Sequence, residues 1–363
     1  MTRNIEKIET ISNFVIVSNM KNKNTNLMVI SLEKLVKKII TPLAKDDYPV
    51  LNTQLFIKLW LEYVLDRSVT SMRTLFERMH YGGCKVDIST FSKASKKRDI
   101  QPIRKIYELL NQMVRAAKPE QKRELVPIDA TIISLTSNLL WKLGYHQVKL
   151  FAGTNIDGGN IVGSLVSFGQ EHDYNYGTEL IDSISDNHVG VLDRGFAGAS
   201  FINHCCEQNK YFVVRIKNNY KLKLDEELGH TIWDNKELAI PCRVVAFCDL
   251  ETRREYRLAT NLECTGDLAI TNEEIGEFYR KRWQIELLWK FLKMHLKLDH
   301  LITKNINGIT IQIYMSLIAY LLLQLVSIPE VFGKKLSDKL HYLQAFMCQK
   351  TSYVHWIDEI LSG

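Results

Sequence analysis

The seven cysteines, at positions 84, 205, 206, 242, 248, 264 and 348, include no CxxC pair. Without that spacing a zinc ribbon or a redox dithiol is not expected, and the odd count suits free thiols in a reducing compartment. His204, Cys205 and Cys206 are adjacent, but tetrahedral zinc needs ligands spaced to converge, so the trio reads as small buried side chains. The opening residues, MTRNIEKIET, lack the apolar stretch and cleavage site of a secretory signal, and secretion is not expected. The longest apolar run, Ile313 to Val326, is too short to span a bilayer and contains Ser316 and Gln324, which favours a buried helix. No membrane role is expected.

What is present is an ordinary composition, 46% hydrophobic and 24% charged over 363 residues, enough for two or three domains with sizeable cores. Charge is uneven. Residues 1–123 carry 23 Lys and Arg against 12 Asp and Glu, a net of +11, which leaves −5 of the overall +6 for the remainder. A basic first third ahead of a mildly acidic body points to a nucleic-acid-contacting module in front of another domain, without choosing DNA or RNA.

Residues 1–30 are polar and Asn-rich, an extension with no assigned structure. From 31 to 123 apolar residues recur at helical spacing: SLEKLVKKII, a break at Thr41 and Pro42, then LNTQLFIKLWLEYVLDR. A possible helix-turn-helix spans 71–98, with Ser71–Met79 as its first helix, the turn YGGC, and Ser89 as N-cap of the second. That second helix exposes Lys93, Lys96, Lys97 and Arg98 for phosphate contacts, or else carries them as the ordinary basic end of a helix. Another helix, Ile103–Ala117, follows Pro102, and Lys118–Glu124 reads as a linker.

Strand patterns begin at Leu125. VPIDATIISL, HQVKLFAGTNI and NIVGSLVSFG predict three successive antiparallel strands. Helix Tyr176–Ser185, strand His188–Asp193, helix Ala199–Gln208 and strand Tyr211–Ile216 follow. Three strands and then alternating helix and strand is the order of an RNase H-like fold. A β insertion, placed at about 218–250 with its strand-like alternation running on from Arg243 to Asn261, separates this core from a long helix. The predicted fold class is therefore mixed α/β, with the core domain over 124–304, an all-helical region before it and a helical region, 305–363, after it.

The helix predicted over Glu274–Lys297 organises the chain. At about 100° per residue, Tyr279, Arg282, Glu286 and Lys293 fall within a sector about 60° wide. Phe278, Ile285, Leu288, Trp289, Leu292 and Leu296 form an apolar stripe beside that line. Arg282 and Glu286 alone are an ordinary i,i+4 pair. Two other acids stand in unusual places. Asp129 lies in an otherwise apolar strand, where a charge needs a partner or a metal unless it faces outward. Asp193 ends the strand VGVLD, at the carboxyl edge where open sheets place ligands, although a turn or cap aspartate is the plainer account.

Together, IDAT, LDRGF and the string YRKRWQIELLWKFLK, with the spacing Tyr279-x2-Arg282-x3-Glu286-x6-Lys293, resemble the DDE transposases of bacterial insertion sequences, the IS-four group. The resemblance covers roughly 125–326. It implies that Asp129, Asp193 and Glu286 are catalytic and hold two Mg²⁺ or Mn²⁺ ions, that Arg282 and Lys293 grip DNA phosphates, that Tyr279 bonds the DNA backbone or orients Glu286, and that the β insertion belongs to the fold. It further implies cleavage at the ends of an insertion sequence and strand transfer into target DNA. The partners would be double-stranded DNA with inverted-repeat ends and a second copy of the chain, in a prokaryotic cytoplasm beside the nucleoid. Lys149, and His172 with Asp173, stand where the family often has a Lys and a His-Asp pair, although a strand lysine and a turn aspartate account for them nearly as well; Asp173 is an alternative to Asp193, and Arg194, which follows Asp193, is a further candidate. Trp233 is either a base-stacking residue or a half-buried insertion side chain. Two other readings share the sequence: a non-catalytic DNA-binding derivative, and a metal-dependent nuclease without strand transfer.

Overall fold

The computed structural model describes residues 48–347 together with 38 and 39, except 82, 119–122, 227–228, 249–252, 254, 264–268 and 329. The N-terminal extension and nearly all of the helix expected from Ser31 lie outside the described residues. The described residues form two compact units, one within Met1–Pro119 and Phe291–Gly363, the other within Glu120–Lys290. The first begins with helices α1 (Thr53–Leu65), α2 (Met72–Tyr81), α3 (Ile88–Lys97) and α4 (Gln101–Ala116). The second contains β1 (Leu125–Ser134), the single turn α5 (Asn138–Trp141), β2 (Gln147–Thr154) and β3 (Ile161–Phe168). A 3₁₀ turn at Asp173–Tyr176 leads into α6 (Gly177–Asp182), β4 (Val189–Leu192), α7 (Ala199–Glu207) and β5 (Tyr211–Ile216). Next come β6 (Lys223–Asp225), β7 (His230–Trp233), β8 (Cys242–Cys248), β9 (Glu255–Thr260) and α8 (Asn272–Lys281). Helix α9 (Trp283–His295) runs through the division between the units, and α10 (Ile306–Leu325) and α11 (Leu336–Met347) complete the first.

The helical unit is built on α10. Asn305 caps it, its side chain accepting from the Gly308 amide at 2.8 Å. By length and composition α10 could cross a membrane, yet 83% of its most apolar window is buried inside the protein, against α1, α3, α4 and α11. Its polar residues have partners. Ser316 donates to the Leu296 carbonyl at 2.9 Å, and Gln324 donates to the Tyr320 hydroxyl at 2.7 Å. Phe56, Trp60, Phe76 and Phe91 cluster where α1, α2 and α3 meet, with ring centroids 5.2–5.5 Å apart around Phe91.

Helices α2 and α3 are joined through Gly83, which takes a positive φ of 87° that other residues resist. The N-cap of α3 is Asp87, which accepts from the Ser89 amide at 2.6 Å; Ser89 itself lies inside the helix. Lys93, Lys96 and Lys97 are exposed. Arg98 is not. It is only 8% exposed, donates to the Leu51 carbonyl and lies over the rings of Tyr48 and Phe56, 4.2 and 4.7 Å from their centroids. The expectation that Arg98 faces solvent is therefore corrected: aromatic neighbours far away in sequence bury its guanidinium.

The second unit is mixed α/β, organised on one nine-stranded sheet in the order β3-β2-β1-β4-β5-β9-β8-β7-β6. The first three strands pair antiparallel, β4 and β5 join parallel, and β9 to β6 continue the sheet antiparallel. The insertion strands thus extend the central sheet rather than forming a separate lobe. Alternation along the strands sorts the two faces. Val126, Ile128, Leu192, Phe212 and Val214 pack with Ile181 and Phe201 of α6 and α7. Leu125, Val189, Val191 and Val213 pack with Ile275 and Tyr279 of α8 on the other face. Burying each large side chain of this kind contributes about 1.5–3 kcal/mol.

Candidate active site

Strand pairing brings two acids together. Ile128 of β1 pairs with Leu192 of the parallel strand β4, so Asp129 and Asp193 are the next residues on neighbouring strands. Both share the parity of Leu125, Val189 and Val191, which sets them on the α8 face of the sheet. Helix α8 begins at a capping box: Thr271 Oγ1 accepts from the Glu274 amide at 3.2 Å, and Glu274 Oε2 accepts from the Thr271 amide at 2.8 Å. Ile275 and Tyr279 anchor it to the sheet one turn apart.

The single helix expected over Glu274–Lys297 is in fact two. At Arg282 the chain tightens to i→i+3 bonding, with the Arg282 amide on the Tyr279 carbonyl at 3.0 Å and the Ile285 amide on the Arg282 carbonyl at 3.1 Å. Helix α9 then carries Glu286 in its first turn.

Arg282 joins the acids. Its Nη2 donates to Glu286 Oε1 at 2.7 Å, and its Nη1 lies 3.9 Å from Asp129 Oδ2. Asp193 Oδ1 accepts from the Tyr279 hydroxyl at 3.0 Å and lies 3.8 Å from Arg215 Nη1. Burial pushes the Asp129 carboxyl up to about 6; the Ala130 amide and Arg282 oppose the shift, while the Asp193 and Glu286 carboxylates add to it. Burial also raises the Tyr279 hydroxyl, and the Asp193 charge reinforces it. For Arg282, burial works against the charge, but Tyr279 and the surrounding carboxylates outweigh it and raise its pKa. Three acids, two guanidinium groups and one phenol thus share a half-buried patch.

Residues 120–322 match the family described as Transposase DDE domain. A Synechocystis protein named as a transposase for insertion sequence element IS4SA is 48% identical over 338 residues, covering 92% of this chain and 99% of its own length. The chain belongs to the DDE transposases. A Geobacillus stearothermophilus protein named as a transposase for element IS5377 is 25% identical over 267 residues, covering 67% of this chain and 68% of its own. Among solved structures, a piggyBac transposase in a synaptic complex with hairpin DNA aligns with a TM-score of 0.47 at 11% identity, over 85% of this chain and 72% of that one.

The transposase gathers Asp129, Asp193, Tyr279, Arg282 and Glu286. Lys293 lies on the same helix as Glu286, two turns on, but beyond the division between units. Lys149 does not join the group. It pairs across the sheet with Ile132, on the face opposite Asp129, and donates to Asp173 Oδ1 at 2.8 Å and the Glu171 carbonyl at 2.7 Å. Asp173 nonetheless touches the loop after Asp193, its Oδ2 lying 3.3 Å from where a β-carbon on Gly195 would be. His172 is exposed before the 3₁₀ turn. Arg194 is exposed and, with Arg215, Ile216, Lys217, Asn218 and Asn219, lines a cavity of about 360 Å³.

Of its two readings, Trp233 takes that of a buried insertion side chain. It is only 4% exposed, stacked on Tyr220 at 4.5 Å and packed into the core of the sheet, so it is not placed to receive a base. Two residues escaped the sequence reading. Arg215 carried a signal, a charge inside the apolar strand YFVVRI, and it proves to flank Asp193 with its guanidinium over the Tyr256 ring at 4.5 Å. Trp283, next to Arg282, is 59% exposed.

Membership of the DDE transposases implies dependence on a divalent metal. The donor chemistry fits: three carboxylates supply hard oxygen ligands, and Asp129, its pKa raised chiefly by burial and further by the Asp193 and Glu286 carboxylates, is a charge that a bound cation would help to keep ionised. Among the described residues, however, no group of three His, Cys, Asp or Glu is drawn together tightly enough to hold an ion. The positive charge between Asp129 and Glu286 is the guanidinium of Arg282.

Proposed function

We propose that this transposase cuts DNA at the ends of an insertion sequence and joins those ends to target DNA, with Asp129, Asp193 and Glu286 holding two Mg²⁺ or Mn²⁺ ions. The observation that carries the proposal is the convergence of these acids, from two neighbouring strands and one helix, on the α8 face. Bound ions would activate an attacking oxygen and stabilise the leaving one. The chain's own groups position the reaction. Tyr279 and Arg215 fix Asp193, and Arg282 offers a two-pronged donor suited to a phosphate.

The strand order β3-β2-β1-β4-β5, with the first three antiparallel and the last two parallel, supports reading this core as RNase H-like. Exposed Lys93, Lys96 and Lys97 on α3 suit DNA phosphates, and Lys293 and Arg194 are further candidates for DNA contacts. Acting on two DNA ends calls for two copies of the chain, working on the nucleoid in a prokaryotic cytoplasm.

The test is cleavage and joining of DNA bearing the element's ends, with Mg²⁺ or Mn²⁺, comparing the wild type with Glu286→Gln. Loss of both steps in the variant, with DNA binding retained, is the expected result. Cutting that persists in Glu286→Gln refutes the assignment of that acid. A wild type that binds the ends but cuts with neither metal points to a DNA-binding derivative, and one that cuts but never joins points to a nuclease.

A further inference from the structure

Arg282 holds the two acids that come from different elements. One prong of the guanidinium reaches Glu286 Oε1 at 2.7 Å and the other faces Asp129 Oδ2 at 3.9 Å, with the side chain only 16% exposed. Asp193 relies on other partners, the Tyr279 hydroxyl and Arg215. Two of the three acids therefore share one protein cation, and that cation stands where a metal held by both would need to be.

Two cations cannot share that place cheaply, because like charges a few ångströms apart repel strongly in a half-buried site. A divalent ion bound by Asp129 and Glu286 therefore requires Arg282 to leave. A guanidinium leaves a carboxylate most readily for another anion that offers two acceptor oxygens to its fork, and a DNA phosphate, with its two non-bridging oxygens, is such a group. Arg282 is suited to the exchange because it sits at the junction of α8 and α9, where the helical bonding is already irregular.

We propose that Arg282 is a resident counter-ion that keeps divalent metal out of the acidic site until a DNA phosphate draws the guanidinium away. This rests on the assignment of Asp129, Asp193 and Glu286 as metal ligands. The consequence is an order of events: the DNA-free transposase binds metal weakly, and DNA and metal strengthen each other's binding, as reciprocal coupling between two ligands requires. Metal-dependent hydrolysis is then confined to protein that has engaged a DNA backbone.

The test needs no cleavage. Mn²⁺ is titrated into the full-length, DNA-free protein, and free Mn²⁺ is read by electron paramagnetic resonance for the wild type and Arg282→Gln. Removing the guanidinium is expected to tighten Mn²⁺ binding about tenfold or more, the scale on which a neighbouring charge acts. Arg282→Lys, which keeps a charge but loses the fork, serves if the glutamine variant lacks a melting transition, with a smaller change of the same sign. Binding no tighter than wild type in a folded variant overturns the proposal.

Adding Asp193→Asn to Arg282→Gln separates this failure from that of the underlying assignment. Tight binding that disappears in the double variant places the ion at the three acids, whereas tight binding that survives places it elsewhere and refutes both readings. Wild-type binding that is already tight, lost on Asp193→Asn and indifferent to Arg282→Gln, keeps the acids as ligands and removes the role given to the arginine.

Discussion

Tyr279 donates its hydroxyl to Asp193 Oδ1 at 3.0 Å, linking a helix to a strand end 86 residues earlier. The ring of Tyr279 is buried with Ile275 and Val191, so Phe can replace it without opening a cavity. Tyr279→Phe is therefore expected to melt within about 1 kcal/mol of wild type while cleavage falls about tenfold, the loss of one hydrogen bond to a charged group. Unchanged cleavage rates would mean that Arg215 alone suffices to hold Asp193.

Asp129 supplies a test of charge. An ordinary aspartate ionises near about 3.9. In the fold, burial first and then the neighbouring carboxylates push it up to about 6. Between those two values the folded chain keeps a proton that the unfolded chain has lost, so this residue's contribution to stability falls as pH rises, and the penalty persists above the window. Without divalent ions, Asp129→Asn is expected to be more stable than wild type at neutral pH by up to about 3 kcal/mol, with the gap closing as the pH falls towards 4. Urea unfolding at several pH values measures it, and a variant less stable at neutral pH would contradict the account.

Lys297 ties down the end of α1. It takes a left-handed backbone conformation, φ 53°, and its Nζ donates to the carbonyls of Tyr63 at 2.6 Å, Asp66 at 2.5 Å and Val69. Lys297→Met keeps the stem but leaves those carbonyls without their donor, and a loss of about 2–4 kcal/mol is expected. Denaturant titration decides this, and a shift within about 0.5 kcal/mol would show that water replaces the ammonium.

The two tryptophans make opposite predictions. Trp233→Ala empties a buried position stacked on Tyr220 and should cost about 3–5 kcal/mol. Trp283→Ala removes an exposed ring beside Arg282, so the melting temperature should hardly move while affinity for DNA containing unpaired bases weakens, by about 1–3 kcal/mol for each base stacked. Fluorescence anisotropy with labelled DNA checks the second. Equal affinity in Trp283→Ala and wild type would remove Trp283 from the DNA surface.

Much of the second unit was legible because its strands are short, apolar and bounded by turn residues; the strand Tyr211–Ile216 has the expected limits. The side chains at the edge of the α9 stripe could also be read, since Ile285, Leu288, Trp289 and Leu292 bury one side and leave Glu286 half exposed. What escaped depended on partners distant in the chain. Arg98 resembled its exposed lysine neighbours until Tyr48 and Phe56 enclosed it. The role of Arg215 depends on β5 lying beside β4, which no local pattern encodes. The tightening at Arg282 is invisible because Arg282 has good helix propensity and no Gly or Pro marks the place.

The pairing of β9 with β5 carries a last consequence. Val213–Ile216 bond to Arg257–Thr260, so the insertion closes the hydrogen-bonding edge of the strand that holds Arg215. Deleting it would lay bare a row of amides and carbonyls flanked by Val213 and Val214, a template for sticking to another chain. The insertion is thus part of what keeps the protein from aggregating, and a shortened form would need a charged or bulged β5 to stay in solution.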